Sequence, residues 1–283
     1  MVKIFTGNAF AKTKEQQLIK DFAQLPIEWQ RLKLVDILEG NDQAARLYVN
    51  LKKQAAQRVG INFETIEIER NYSKKNIISL IKKLNQDRKI GGIMIQLPLS
   101  ETFRKEQAEI VEAITAEKDV DCLVSKNLNK IITDASPLLP ATVRAIIWIL
   151  EQAGLRQVDL INKRVVIVGR SRIVGKPLAD FLNKTGALVT ICHRQTQRLS
   201  DQTKKAQILI SATGQPNLIK KNMVSLGAVV IDVGSPRGDV DFDQVKSRAS
   251  FITPVPGGVG PITVISLLEN FKQILLQKRK NES

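Results

Sequence analysis

Apolar residues along the chain fall into two alternating patterns. Short runs, Leu32 to Leu38, Ile61 to Ile68 and Gly92 to Leu97, read as buried strands. Between them, Asp42 to Val59 and Lys75 to Leu84 carry apolar side chains at helical spacing. Strand then helix, repeated, predicts a parallel sheet, because a crossover helix is what returns the chain to the same sheet edge. The pattern resumes after Pro140 with a helix through Ile146, Ile147, Ile149 and Leu150. Strands follow at Val165 to Val168, Ala187 to Cys192, Gln207 to Ser211 and Ala228 to Val233. A last helix is expected after Pro261, through Ile265, Leu267, Leu268, Phe271, Ile274 and Leu275. The fold class this predicts is α/β, with two domains flanking a cleft.

Composition narrows the function classes. With 283 residues, 43% of them hydrophobic and 25% charged, the chain can bury a substantial core, which excludes a disordered or fibrous protein. No stretch approaches the roughly 20 uninterrupted apolar residues of a membrane span. Met1 to Lys20 lack the apolar centre of a secretory signal, so a cytoplasmic protein without a membrane partner is expected. Cys122 and Cys192 stand in no metal-ligand spacing, and a lone His193 excludes a histidine cluster, so no metal is expected. His193 itself reads as a packing residue at a strand end.

Charge is uneven. The net charge is +15; residues 1–140 hold 22 basic and 18 acidic side chains, residues 141–283 hold 21 and 10. A field of that sign concentrates phosphates or polyanions around the second half. A non-catalytic basic protein that binds nucleic acid is the alternative from another class. No nucleic-acid-binding motif accompanies the charge, and aromatics are only 5% of the chain, so no nucleic-acid partner is expected. The terminal run Lys278, Arg279, Lys280 reads as a solvated helix end.

The strand at Val165 to Val168 runs into Gly169, Arg170, Ser171, Arg172, Ile173, Val174, Gly175, Lys176 and Pro177, and a helical pattern follows. A glycine turn between strand and helix lets the backbone approach a pyrophosphate, and the helix N-terminus favours its charge. Five residues separate the two glycines, so the spacing is not the usual GxGxxG. Arg170 and Arg172 sit in the turn, and Arg194 follows the next strand where an adenosine ribose would lie. No acidic residue stands there to hold a 2′-hydroxyl, whereas guanidiniums suit a 2′-phosphate, so NADP is expected over NAD. The second domain is therefore predicted to be Rossmann-like and to bind NADP, over residues 140–260. The first is placed at 1–139, completed by the C-terminal helix 261–283.

A second group of residues suggests a reactive site. Tyr48 and Lys52 lie four apart on one helix face, an aromatic ring beside an amine. A lysine that acts as a base needs a partly desolvated setting. Gln96 ends the strand through Ile95 and precedes Leu97, at the end of a strand where α/β sheets bind ligands. Asp121, after Lys118, Asp119 and Val120, can accept from two N–H groups of a ring. Pro254 to Pro261 place three prolines and three glycines in eight residues before the last helix.

Together these residues resemble the bifunctional methylenetetrahydrofolate dehydrogenase/cyclohydrolase family. The resemblance rests on Tyr48-Val49 with Lys52, Gly92 to Leu99, Lys118 to Asp121, Gly169 to Pro177, Asp232 to Gly234 and Thr253 to Thr263. It implies NADP-dependent oxidation of 5,10-methylenetetrahydrofolate to the 5,10-methenyl cation, then hydrolysis to 10-formyltetrahydrofolate, by a homodimer. It also implies roles: Lys52 as the catalytic lysine, Gln96 tuning it, Tyr48 stacking on folate and Asp121 anchoring the pterin. Ile95, Leu97 and the loop of Pro256, Gly257, Gly258, Val259, Gly260, Pro261 and Thr263 would line the folate pocket. Gly169, Arg170, Ser171, Arg172, Gly175, Arg194 and Ser235 would contact the cofactor. The chain departs from the family pattern at Ala45, Cys122, Asn129 and Val143. Those departures leave open a second reading, an enzyme with dehydrogenase activity alone.

Overall fold

The structure is a computed structural model that describes residues 2–69, 72–133 and 138–282, the last four of these in backbone only. The side chains of Arg279 and Lys280, in the terminal basic run, lie outside the described residues. Nine strands are described: β1 Lys3–Ile4, β2 Lys33–Glu39, β3 Asn62–Ile68, β4 Ile90–Ile95, β5 Arg164–Val168, β6 Leu188–Cys192, β7 Ile208–Ser211, β8 Val229–Asp232 and β9 Phe251–Ile252. The helices of ten residues or more are α1 Gly7–Ala23, α2 Gln43–Val59, α3 Lys74–Gln86, α4 Ala141–Gln152, α5 Gly175–Lys184 and α6 Val259–Glu282.

The chain divides into two compact units. One comprises residues 13–139 with 264–283, the other residues 1–12 with 140–263. The first twelve residues thus join the second unit, not the first as the sequence boundary had it. The reason is backbone pairing: Lys3 and Ile4 of β1 add a parallel strand beside Phe251 and Ile252 of β9. Pairing of that kind depends on which distant strand edge is open, and a two-residue strand carries no pattern of its own.

In the first unit the sheet has three parallel strands, in the order β3-β2-β4. The central strand β2 is buried from Leu34 to Glu39, which its run of apolar residues requires. Helix α2 starts where Asp42 caps it, its side chain accepting from the Ala44 N–H at 2.9 Å. Its buried residues Val49, Lys52, Ala56 and Val59 follow helical spacing, so the stripe that faces the core contains a lysine. The C-terminal part of α6 completes this unit, with Phe271 stacked against Phe22 and Asn270 donating to the carbonyls of Val120 and Leu139.

The second unit has six parallel strands in the order β1-β9-β8-β7-β5-β6. The chain runs outward from β5 to β6, then returns to β7 on the other side of β5, so the winding reverses between β5 and β7. Ligands bind such sheets outside the carboxyl ends of the strands at that point. Val166, Val168, Leu209, Val230 and Ile252 form the apolar core along one face.

Helix α6 begins at Val259, so Gly260 and Pro261 lie in its first turn rather than before it. A proline is tolerated there because first-turn N–H groups have no partner within the helix. By length and composition Val259–Lys278 is apolar enough to cross a membrane, although Glu269 and Lys272 interrupt its apolar run; 67% of its most apolar 18-residue window is buried inside the protein, as in a core helix.

Candidate active site

Lys52 projects from α2 into the first unit and is only 7% exposed. Its Nζ donates to Asp36 Oδ2 at 2.8 Å and approaches Met94 Sδ at 3.7 Å. Asp36 lies in the middle of β2, fully buried, level with Thr65 on one side and Met94 on the other. Burial pushes the Asp36 carboxyl above its ordinary range, and the Lys52 charge opposes that rise. Burying a charge costs several kcal/mol unless a partner offsets it, so each of these two groups makes the other tolerable.

Asp121 belongs to the same electrostatic group. Its carboxyl is pushed up to about 7, first by burial, with Asp119 and Asp36 adding to the rise and Lys52 opposing it. It lines a small pocket with Met94, Ile95, Leu97, Asp119 and Leu123. Asp119, wholly buried, accepts from the Val124 N–H and the Asn127 side chain, which fixes the turn that carries Asp121. Within that turn Cys122 has φ of 57°, the left-handed conformation that glycine adopts without strain.

Gln96 follows β4 directly, its backbone N–H donating to the Ile37 carbonyl at 2.9 Å. Its side-chain amide donates to the Leu97 carbonyl at 2.9 Å, while Oε1 is buried with no partner. An unpartnered buried acceptor is costly, and it suits a donor brought by a ligand or by a moving side chain. Tyr48, one turn before Lys52 on α2, is half-buried, and Lys53 is exposed. The structure thus gathers Lys52, Asp121, Ile95 and Leu97 in one unit with Tyr48 and Gln96.

Asp36 is the residue that sequence reasoning missed. A signal was available, since an acid interrupts the apolar run Leu34, Val35, Asp36, Ile37, Leu38. A strand buried on both faces offers no water to a carboxylate, so an acid there implies a buried partner.

The second unit holds the glycine turn. Gly169 has φ of 124°, and its N–H donates to the Cys192 carbonyl at 2.8 Å. A Cβ at Gly169 would collide with the Ala212 carbonyl, and one at Gly175 with the carbonyl of Gly169. The turn therefore closes only with glycine at both places, and it does so at the β5–β7 reversal. Ser171 Oγ accepts from the N–H groups of Val174 and Gly175 at 3.1 and 3.4 Å, fixing the start of α5. Arg170, Arg172 and Arg194 are exposed beside it. Ser235, also exposed, sits in a loop held by buried Asp232, which accepts from the N–H groups of Gly234, Asp239 and Val240. This geometry fits a dinucleotide: a backbone cradle that a Cβ would fill, a helix N-terminus, and cations within the turn. His193 keeps a local role, its Nδ1 accepting from the Gln195 N–H at 3.3 Å.

The segment from Pro256 to Thr263, the end of a loop and the first turn of α6, belongs to this second unit. Gly257 has φ of 93° and its carbonyl accepts from the Gly7 N–H at 2.7 Å, which ties the loop to the N-terminal segment. Thr263 Oγ1 donates to the Val259 carbonyl at 3.2 Å.

A Rossmann-like parallel sheet with a glycine turn, joined to a second α/β unit with a buried lysine and acids, defines a dinucleotide-dependent enzyme. Residues 5–121 match the family model described as the tetrahydrofolate dehydrogenase/cyclohydrolase catalytic domain, and residues 140–279 its NAD(P)-binding domain. The chain is 41% identical to the bifunctional protein FolD of Lactobacillus helveticus, over all of both chains. It is 39% identical to that of Bacillus subtilis, over 94% of this chain and 95% of the relative. The solved structure of the bifunctional FolD enzyme of Campylobacter jejuni superposes with a TM-score of 0.90, at 34% identity over 98% of this chain and 100% of that one. The Trypanosoma brucei FolD structure, complexed with NADP and an inhibitor, gives 0.91 at 34% identity, over 100% and 99%. The chain belongs to the tetrahydrofolate dehydrogenase/cyclohydrolase family, and is an oxidoreductase and a hydrolase.

Proposed function

We propose that the chain oxidises 5,10-methylenetetrahydrofolate with NADP and hydrolyses the 5,10-methenyl product to 10-formyltetrahydrofolate, folate lying on the first unit and dinucleotide on the second. The observation that carries this reading is the Lys52 amine, buried on the core stripe of α2 beside Asp36 and the Asp121 pocket. Bound NADP supplies the hydride acceptor.

Tyr48 covers the flat ring, and the Asp121 carboxylate accepts from the pterin N–H groups. Loss of hydride leaves the one-carbon bridge as a cation shared by two nitrogens, which water attacks at carbon. Lys52 takes a proton from that water as the C–O bond forms. The bond from this carbon to N5 then breaks as the remaining hydroxyl releases its proton to solvent and becomes the formyl carbonyl, while the proton held by Lys52 passes to N5, so one proton is released overall. Gln96 Oε1 offers the acceptor that orients the amine or the water. Ile95 and Leu97 shape the folate site on the first unit, and the segment of Pro256, Gly257, Gly258, Val259, Gly260, Pro261 and Thr263 is assigned to folate by the family resemblance alone. Positioning and proton control suffice for this chemistry, and no metal enters the proposal.

For the dinucleotide, Gly169 and Gly175 admit the pyrophosphate, and Ser171 and Ser235 line the cradle. Arg170, Arg172 and Arg194 supply the charge that favours a 2′-phosphate. The NADP bound by the trypanosomal relative supports this choice. A homodimer is supported by β6, an edge strand with Leu188 at 56% exposure and Ile191 also exposed. Exposed apolar edges of this kind are ordinarily covered. We assign the protein to the cytoplasm, with no membrane and no nucleic-acid partner.

The test mixes the purified protein with methylenetetrahydrofolate and NADP, and follows NADPH and methenyl absorbance together. NADPH forming while methenyl stays far below it, faster than spontaneous hydrolysis explains, supports both activities. Methenyl accumulating in step with NADPH leaves the dehydrogenase alone. No signal above control overturns the reading.

A further inference from the structure

We propose that Asp36 is a positioning residue for ring opening: its carboxyl holds the Lys52 amine at the floor of the site, and replacing it alters the pH range over which ring opening runs. The inference rests on the role assigned to Lys52 above.

The geometry is specific. Lys52 Nζ lies 2.8 Å from Asp36 Oδ2, both side chains are buried, and the other Asp36 oxygen has no partner. The carboxylate therefore has a single ion partner, the lysine. Four side-chain torsions let a free lysine amine sweep a wide arc, and this contact fixes it on β2 and against Met94 of β4. The groups around the amine are few. Tyr48 lies one turn earlier on α2, Asp36 comes from β2 and the uncharged Met94 from β4. Asp119 and Asp121 come from the segment that pairs beside β4 at Ile93.

A counter-charge at contact distance in a dry site stabilises ammonium over amine. Taking a proton from water requires the amine, so Asp36 opposes the reactive form while it positions the side chain. Without that carboxylate the ammonium stays buried and loses its nearest compensation, and the amine is reached at lower pH.

The experiment measures kcat for ring opening of methenyltetrahydrofolate, and separately for the dehydrogenase, across pH in the whole enzyme. With Asp36→Asn, the basic rise of ring opening is expected to move down by at least about one pH unit, equivalent to tenfold more amine at a given pH below it. The dehydrogenase inflections stay in place. Asp36→Glu, which keeps the charge, retains the parental inflection even if the rate falls. Should Asp36→Asn not fold, Asp36→Ser removes the charge with a smaller side chain and carries the same expectation. A folded, charge-free variant whose ring-opening inflection does not move overturns the proposal, and so does an equal shift in the dehydrogenase.

The pH dependence of Lys52 acetylation by acetic anhydride, read by mass spectrometry without substrate, gives a readout independent of turnover. It shifts the same way in the Asn variant, and no shift there also counts against Asp36. Ring opening that survives Lys52→Met would instead remove the role of Lys52. The acetylation profile would still decide whether Asp36 holds the amine.

Discussion

The two units place their chemistry in opposite surroundings. In the three-stranded unit the groups proposed to react are withdrawn from water: Lys52 and Asp36 are buried against each other, and half-buried Asp121 has a carboxyl raised to about 7. In the six-stranded unit the groups proposed for recognition are backbone and surface: a glycine turn, a capped helix start and exposed arginines. Proton transfer needs groups whose charge state is poised by desolvation and neighbours, whereas holding a phosphate needs N–H groups and long cations that water can still reach. The contrast predicts that lesions in one unit change protonation and ring opening, and lesions in the other change dinucleotide affinity.

The largest effect is expected at Lys52. Lys52→Met should reduce ring opening by about 10²–10⁴-fold, the usual scale for a proton-transfer group. Hydride transfer should fall much less, measured as NADPH formation on the same preparation. Equal losses would break the division of labour.

Next comes the glycine turn. In Gly169→Ala the new Cβ meets the Ala212 carbonyl in a backbone conformation of positive φ. Strain of this kind costs about 1–3 kcal/mol. Urea unfolding should show that loss, and calorimetric titration should show dinucleotide affinity falling with it. Arg194→Ala, by contrast, should leave stability alone and weaken NADP by about tenfold or more, the worth of a charge-assisted contact, with little change for NAD. Equal losses for both cofactors would remove the account of the 2′-phosphate.

The smallest effect concerns Asp121 and pH. Its folded-state pKa is raised from the ordinary 3.8 to about 7, so the folded protein holds the proton where the unfolded chain has lost it, and stability falls as pH rises between those two values and levels off above 7. Asp121→Asn carries no such cost. It should therefore melt higher than the parent at pH 8, with the difference shrinking as pH falls through 7 and gone near the ordinary carboxylate value. A difference independent of pH would mean that the burial of Asp121 is unrelated to its charge. In the same variant the KM for folate should rise, because the amide offers one acceptor where the carboxylate offers two.

Strands and helices with strong periodicity were legible in the sequence, to within a residue or two: β2, β3, β5 and α2 lie where apolar runs and helical spacing place them. The N-terminal helix α1 and the short strands β1 and β9 were not. Helix α1 is polar at most positions, and a two-residue strand exists only because an edge is present to pair with it. In the site, Lys52, Gln96, Asp121 and the glycine turn could be picked out, since each stands at the end of a strand or on one face of a helix. Asp36 passed as one polar residue in an apolar run.

The amino-acid order by itself determined the alternation of strand and helix, the two glycines of the turn, the charge excess in the second half, and the spacing that puts Tyr48 and Lys52 on one helix face. These are local properties, set by side-chain period, backbone freedom and composition. Tertiary structure decided which unit the first twelve residues join, where α6 begins relative to Pro261, and what faces the lysine. Asp36 and Lys52 are sixteen residues apart, and only the packing of α2 on β2 brings them to 2.8 Å. Charge state depends on such neighbours and on the water that packing removes, so the protonation behaviour of this site is a property of the fold.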